Sequence, residues 1–116
     1  MHELGIVFHI FDAIEDVAKE QQLTKVSSVT IEVGEVSTVI PQYLVDCWKW
    51  ACKKREGELM RDAELKYETI KAVTYCEDCG KTYETVKYAK ICPHCGSEHT
   101  YLLEGNEVQI KEIEAL

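Results

Sequence analysis

Residues 76–96 read CEDCGKTYETVKYAKICPHCG and contain two Cys-x-x-Cys pairs. A Cys-x-x-Cys turn directs two sulfurs at one ion, and two such turns complete the tetrahedral shell of Zn²⁺. A glycine follows each pair, and glycine suits the close backbone approach that such a turn requires. We therefore predict one four-thiolate metal site, with zinc as the favoured ion. Its ligands are Cys76, Cys79, Cys92 and Cys95.

The segment around these cysteines, residues 73–103, interrupts a unit of helices and strands whose last strand follows residue 103. About thirty residues cannot bury enough apolar surface to fold unaided, and chains this small usually rely on a metal or on disulfides. We therefore predict an inserted zinc-binding domain at 73–103. Residues 1–72 and 104–116 would form the α/β domain around it.

The rest of the chain shows two hydrophobic periods. Apolar side chains recur every three or four residues over 4–22 and 41–55, which predicts two amphipathic helices. Alternation with period two predicts strands at 26–33, 63–69 and 108–110. The predicted fold class is α+β, with two helices packed on a small three-stranded mixed sheet and an inserted four-cysteine, zinc-ribbon-like module.

Composition excludes several classes of function. The 116 residues are too few for a large multi-domain enzyme, and no apolar run approaches the roughly 20 residues that a membrane helix needs. The net charge is −8, with 21 acidic and 13 basic side chains, so nucleic-acid phosphates would be repelled. No nucleophile with a base and no phosphate-binding loop is evident, and we expect a protein that is not an enzyme.

The first residues are too acidic for the basic flank of a signal peptide, which indicates a cytoplasmic protein. In that reducing compartment the paired cysteines favour a metal over disulfides. The other two cysteines, Cys47 and Cys52, lie on different faces of the second predicted helix and are interpreted as small apolar side chains.

Three interpretations of the four-cysteine site stay open from the residues alone. The site could hold structural zinc, it could hold iron in a rubredoxin-like electron carrier, or it could shape a zinc-ribbon interaction module. Four thiolates leave no open position for hydrolysis at the metal. His94 and His99 could in principle replace a thiolate, but a surface position for each is the stronger interpretation.

The chain opens with Met1, His2 and Glu3. A histidine beside a terminus can combine its imidazole with backbone nitrogens, and the first turn of a helix has N–H groups without intrahelical partners. Planar sets rich in nitrogen suit Ni²⁺ or Cu²⁺. The competing interpretation is that His2 is simply an exposed second residue.

Several motifs of the chain, and the order in which they follow one another, resemble those of the HypA/HybF family of hydrogenase maturation proteins, which are nickel metallochaperones. The resemblance spans the whole chain and includes both Cys-x-x-Cys pairs. The remaining matching stretches are Met1 to Leu4, Ile31 to Glu35, Ile40-Pro41, Ala63 to Tyr67, and Glu104 to Glu107.

This resemblance implies a nickel site at His2, with Glu3 and nearby main-chain nitrogens assisting, and a structural zinc at the four cysteines. It implies delivery of nickel to the large subunit of nickel-iron hydrogenase together with the GTPase HypB, and in some members support of urease. We expect a monomer or a weak homodimer, with no nucleic-acid or membrane partner.

Overall fold

The computed structural model describes residues 2–55 and 57–116, which form three helices and six strands in these ranges. One sheet has the strand order β2-β1-β6, and a second has the order β4-β3-β5. This architecture confirms the α+β class, the two long helices and the three-stranded sheet. In chain order the elements are α1 His2–Gln21, β1 Val26–Gly34, α2 Pro41–Lys54, β2 Glu64–Ile70, β3 Val73–Cys76, β4 Thr82–Glu84, α3 Thr85–Tyr88, β5 Thr100–Glu104 and β6 Val108–Ala115.

Helix α1 forms because its apolar positions fall on one face, and it ends where the backbone turns left-handed. Gln22 has a φ of 56°, and the N–H of Leu23 donates to the carbonyl of Ala18 at 2.9 Å, which closes the last turn. The predicted end of this helix near residue 22 is therefore confirmed. Its buried side chains are Val7, Ile10, Phe11, Ile14 and Ala18.

Helix α2 starts at Pro41, whose missing N–H would have had no intrahelical acceptor there. It packs against α1 through the rings of Phe11 and Trp48, whose centroids are 4.8 Å apart and nearly perpendicular. The indole N–H of Trp48 donates to the carbonyl of Ala63 at 2.9 Å. Arg55 lies over the Phe11 ring, 5.4 Å from its centroid. These contacts form the helical side of the core.

The chain divides into two compact units. The second unit comprises Glu32–Thr38 and Thr69–Val108, and the first comprises the chain up to Ile31 together with Val39–Glu68 and Gln109–Leu116. The assignment of nickel to residues 1–72 and 104–116, and of zinc to 73–103, stays a prediction. In the part of the chain that the structure describes, no helix is long and apolar enough to cross a membrane.

The sheet β4-β3-β5 was not among the predicted elements. Its strands pair antiparallel, with Tyr75 opposite Thr82 on one side and opposite Tyr101 on the other. A register shift between Val73 and Thr74 interrupts the pairing with β5. Strands of three to five residues are too short for a period-two pattern to stand out in the sequence.

Three backbone segments of the second unit cross at two glycines. A Cβ on Gly34 would lie less than 3.0 Å from the carbonyl of Gly105, and a Cβ on Gly105 would lie equally close to the backbone of Ala72. Gly105 also has a φ of 103°, which side chains rarely adopt. Beside this crossing, a carboxylate oxygen of Glu35 accepts a hydrogen bond from the N–H of Ala72 at 3.2 Å. At positions 34 and 105, only glycine permits the backbone segments to approach each other so closely.

Candidate metal centre

The four cysteines lie in two turns that face each other. Their Sγ atoms all lie within 4.8 Å of one another. The sulfurs of Cys76 and Cys95 are 3.5 Å apart, and those of Cys79 and Cys92 are 3.6 Å apart. The structure therefore brings together all four predicted thiolate ligands.

The two turns have the same backbone geometry. In the first, the N–H of Gly80 donates to the carbonyl of Cys76 at 2.9 Å, and the N–H of Cys76 donates to the carbonyl of Lys81 at 3.0 Å. In the second, Gly96 donates to Cys92 at 2.8 Å, and Cys92 donates to the carbonyl five residues onward at 3.0 Å. Both glycines are left-handed, with φ values of 72° and 75°. Main-chain hydrogen bonds thus hold each pair of sulfurs on one side of its turn.

The surroundings lower the pKa of one of these thiols, Cys92, and raise the pKa of another, Cys95. Burial opposes ionisation of Cys92, but the N–H groups of Cys95 and His94 and the adjacent thiols together lower its pKa to about 7. The N–H of Ser97 favours the thiolate of Cys95, but the thiol of Cys76, burial and the other thiols raise the pKa of Cys95 to about 12. Four ionised thiols this close together would repel one another, and a divalent cation relieves that repulsion.

The donor set fits zinc. Tetrahedral coordination at a Zn–S distance of about 2.3 Å places neighbouring sulfurs about 3.8 Å apart. The sulfur spacings of the Cys76–Cys95 and Cys79–Cys92 pairs, 3.5 and 3.6 Å, are near that value. Cys76 and Cys92 are buried, whereas Cys95 is exposed. Cys76, Cys79, Cys92 and Cys95 would hold the ion, which would act as a crosslink between the two turns.

The predicted histidines lie beside the cluster. His94 contacts it through its backbone, whose N–H points at the sulfur of Cys92 at 3.4 Å. The imidazole of His99 is 3.1 Å from a carboxylate oxygen of Asp78, and the Ser97 hydroxyl donates to the same oxygen. His99 thus pairs with a carboxylate, and neither imidazole belongs to the group of side chains that could hold an ion.

The predicted nickel ligands lie at the start of α1. The helix begins at His2, but the side chain of His2 and all of Met1 lie outside the described residues. Glu3 lies in the first turn and is partly exposed. The carboxylate of Glu3 therefore lies near the positive end of the helix dipole.

A family model described as "Hydrogenase/urease nickel incorporation, metallochaperone, hypA" matches residues 1–115. The chain belongs to the HypA family. A hydrogenase maturation factor HypA from Rhodopseudomonas palustris (strain TIE-1) is 31% identical over 114 residues, which are 98% of each chain. One from Aquifex aeolicus is 34% identical over 98% of this chain and 96% of the relative.

Two solved structures have the same fold as this HypA family member. The solution structure of the Ni metallochaperone HypA from Helicobacter pylori has a TM-score of 0.76 at 23% identity, covering 98% of this chain and 97% of that one. A second solution structure of a HypA protein has a TM-score of 0.77 at 25% identity, covering 100% and 97%. The resemblance seen in the sequence is therefore confirmed, and the family is one of nickel metallochaperones of hydrogenase maturation.

Proposed function

We propose that this chain binds one Ni²⁺ at its N-terminus and delivers it for the maturation of nickel-iron hydrogenase. The observation that carries the proposal is the family match over residues 1–115, because the family's description is nickel incorporation. Its curated relatives are named hydrogenase maturation factors, which favours hydrogenase over urease as the acceptor.

The proposed nickel ligands are the imidazole of His2 and main-chain nitrogens beside it, with Glu3 assisting. Because α1 begins at His2, the N–H groups of its first turn have no intrahelical acceptors. Replacing one of those protons by a metal breaks no helical hydrogen bond. A square-planar, nitrogen-rich set suits Ni²⁺, and the carboxylate of Glu3 offsets the positive end of the helix dipole.

The four-cysteine cluster takes the other role, that of a permanent structural zinc site. A shell of four thiolates is closed, so an incoming acceptor ligand has no position from which to begin exchange. A terminal site is open on one side, and ligand exchange there is direct. The transferred nickel is therefore assigned to the N-terminal site, and the structural zinc to the four cysteines.

The proposed partners follow from the same family assignment. The large subunit of nickel-iron hydrogenase receives the ion, and a HypB-type GTPase acts with the chaperone. Urease is a second acceptor within the family's description. The exchange takes place in the cytoplasm.

The test is nickel titration by calorimetry, on zinc-loaded protein whose N-terminus carries no tag. The wild type should bind about one Ni²⁺ beyond its zinc, and His2→Ala should lose that binding while its circular dichroism and zinc content stay unchanged. His9→Ala is the matched control, since His9 is an exposed histidine on the same helix. Equal nickel affinity in wild type and His2→Ala would refute the assignment.

A further inference from the structure

The second compact unit contains a cavity of about 320 Å³ that is partly open to solvent. It is bounded by α3 and the turn after it, by β3 and β5, and by the loop that follows β1. Most of its wall is apolar and includes Val36, Val86 and Leu102. Thr74 and Leu102 are opposite each other in the pairing of β3 with β5, so their side chains share one face of the sheet. A cavity of this size is at the lower end of the range for ligand pockets and suits roughly ten non-hydrogen atoms.

The turn after α3, which forms one side of the cavity, is held in an uncommon conformation. Ala89 has a φ of 54° and a ψ of −121°, which a residue with a Cβ rarely adopts. Its carbonyl accepts a hydrogen bond from the Tyr83 hydroxyl at 2.8 Å, and its N–H donates to the carbonyl of Thr85 at 2.7 Å. The Thr100 hydroxyl donates to the carbonyl of Lys90 at 2.7 Å. Hydrogen bonds from β4 and β5 thus fix this side of the cavity in advance, and backbone strain of this kind is concentrated at binding sites.

Two hydroxyl groups on the cavity wall share a single hydrogen bond. The Oγ1 atoms of Thr74 and Thr85 are 2.6 Å apart, and among the described residues neither oxygen has another hydrogen-bond partner. One of the two hydroxyl protons forms this bond, so the other proton is left without a protein acceptor in that part of the chain. Thr74 is 3% exposed, and a buried donor without an acceptor carries a desolvation penalty. The cavity therefore offers a hydrogen-bond donor to an acceptor atom of a ligand.

The cavity also has one positive charge on its wall. Within the described ranges, Lys90 is the only charged residue of the lining, and no carboxylate there lies within ion-pair distance of its ammonium group. Two glutamates adjoin lining residues along the chain, and both are engaged elsewhere. Glu35 accepts a hydrogen bond from the N–H of Ala72, and Glu84 lies 3.7 Å from the ammonium of Lys71. The charge of Lys90 is thus available to an anion.

These features together select one class of ligand. A surface lysine is usually only solvated, and a gap beside a short helix needs no occupant. Here, however, the free ammonium and the spare hydroxyl proton border the same apolar cavity. The apolar wall disfavours a strongly polar ligand, and Lys90 disfavours a cation.

We propose that this cavity binds a small aliphatic carboxylate. The hydrocarbon body packs against Val36, Val86 and Leu102, and the carboxylate accepts hydrogen bonds from the ammonium of Lys90 and from the spare proton of the two threonine hydroxyls. This inference goes beyond nickel binding and does not depend on it.

The experiment is a titration of full-length, zinc-loaded, isotope-labelled protein with octanoate, which matches the size of the cavity, followed by two-dimensional NMR. The amide signals of Ala89, Lys90 and Leu102 should shift and saturate with a Kd below about 1 mM. Octanol, which lacks the charge, should bind about tenfold more weakly, and octylamine more weakly still. The indole N–H of Trp50, which is 48% exposed in the other compact unit, reports nonspecific binding and should not shift.

The variants separate the two polar contacts. Lys90→Gln should lower the affinity for octanoate to that for octanol, and Lys90→Glu should reverse the preference so that octylamine binds more tightly than octanoate. The double variant T74V/T85V, which keeps the side-chain shapes, should weaken both octanoate and octanol because both have an acceptor oxygen. Lys87→Glu is the matched control and should leave the preference unchanged, since Lys87 is an exposed lysine of α3 that lies over the Tyr88 ring and not on the cavity wall.

Circular dichroism and zinc content should show that each variant keeps its fold and its metal. The proposal is overturned if the shifts caused by octanoate do not saturate, if the three ligands bind equally, or if Lys87→Glu changes the preference as Lys90→Glu does. It is also overturned, in favour of the chain terminus of a protein partner, if a short peptide ending in leucine with a free carboxylate binds the cavity more tightly than octanoate.

Discussion

Replacing Gly34 or Gly105 by alanine should strongly destabilise the second compact unit. In both cases the new Cβ would lie less than 3.0 Å from backbone atoms, which cannot rotate away as a flexible side chain can. The carbonyl of Gly105 blocks the Cβ at position 34, and the backbone of Ala72 blocks the Cβ at position 105.

The two substitutions should differ in magnitude. Crowding of a packed site costs about 1–3 kcal/mol, which is the expected loss for Gly34→Ala. Gly105 also has a φ of 103°, and a left-handed backbone costs a side chain a further 1–2 kcal/mol or so. Gly105→Ala should therefore lower the free energy of unfolding by about 2–5 kcal/mol.

Two other glycines separate these contributions. Gly57 has a φ of 94° but open space around it, so Gly57→Ala should cost only the backbone term, about 1–2 kcal/mol. Gly5 lies in helix α1 with nothing near a new Cβ, so Gly5→Ala should stabilise the protein by about 0.5–1 kcal/mol.

Urea denaturation of the zinc-loaded variants, followed by circular dichroism, measures the series. The expected order of stability is Gly5→Ala, wild type, Gly57→Ala, then Gly34→Ala and Gly105→Ala. If Gly34→Ala is as stable as wild type, the backbone crossing is not as close as described and the argument fails.

Further predictions concern the cysteines and the core. Cys79→Ser should lower the zinc content measured by atomic emission, whereas Cys47→Ser should not; equal loss in both would contradict the metal site. Burial raises the pKa of Cys52 from 9.0 to about 11, so above pH 9 the unfolded chain loses a proton that the folded chain keeps. Stability should therefore fall between about pH 9 and 11, by up to about 3 kcal/mol, and Cys52→Ala should abolish that part of the pH dependence. Trp48→Phe should cost about 1–3 kcal/mol in urea denaturation because the Ala63 carbonyl loses its donor; an unchanged midpoint would exclude that role.

The long elements were predictable because their periodicity extends over many residues. Helix α1 repeats its apolar face for 20 residues, and α2 has a proline at its first position. Strand β1 alternates around Val29 and Ile31, which are fully buried. In such segments the hydrophobic pattern and the local propensity agree, so tertiary contacts do not reverse them.

The metal cluster was predictable for a different reason. A Cys-x-x-Cys spacing describes a local turn, so the sequence alone implies which two sulfurs converge. The prediction that the two turns lie side by side rested on the assumption that they share one ion. The distances between the four sulfurs agree with that assumption.

The backbone crossing at Gly34 and Gly105 was not predictable, because nothing in the local sequence says that two residues so far apart along the chain approach each other. The short sheet β4-β3-β5 was missed because its strands depend on pairing with each other. Residues such as Thr82 and Tyr83 favour strands, but three residues cannot display alternation. The role of His2 came from family resemblance, since one histidine near a terminus has no distinctive spacing.

The position of the two tryptophans has a practical consequence for optical work on this protein. Trp48 is enclosed by the core and Trp50 faces water, although the two residues are only two positions apart on the same helix. Iodide should quench the emission of Trp50 and spare that of Trp48, so a single intrinsic spectrum contains two separable signals. The blue component follows unfolding, and the red component follows whatever approaches the surface of α2. The chain thus carries its own pair of internal probes, and no dye needs to be attached.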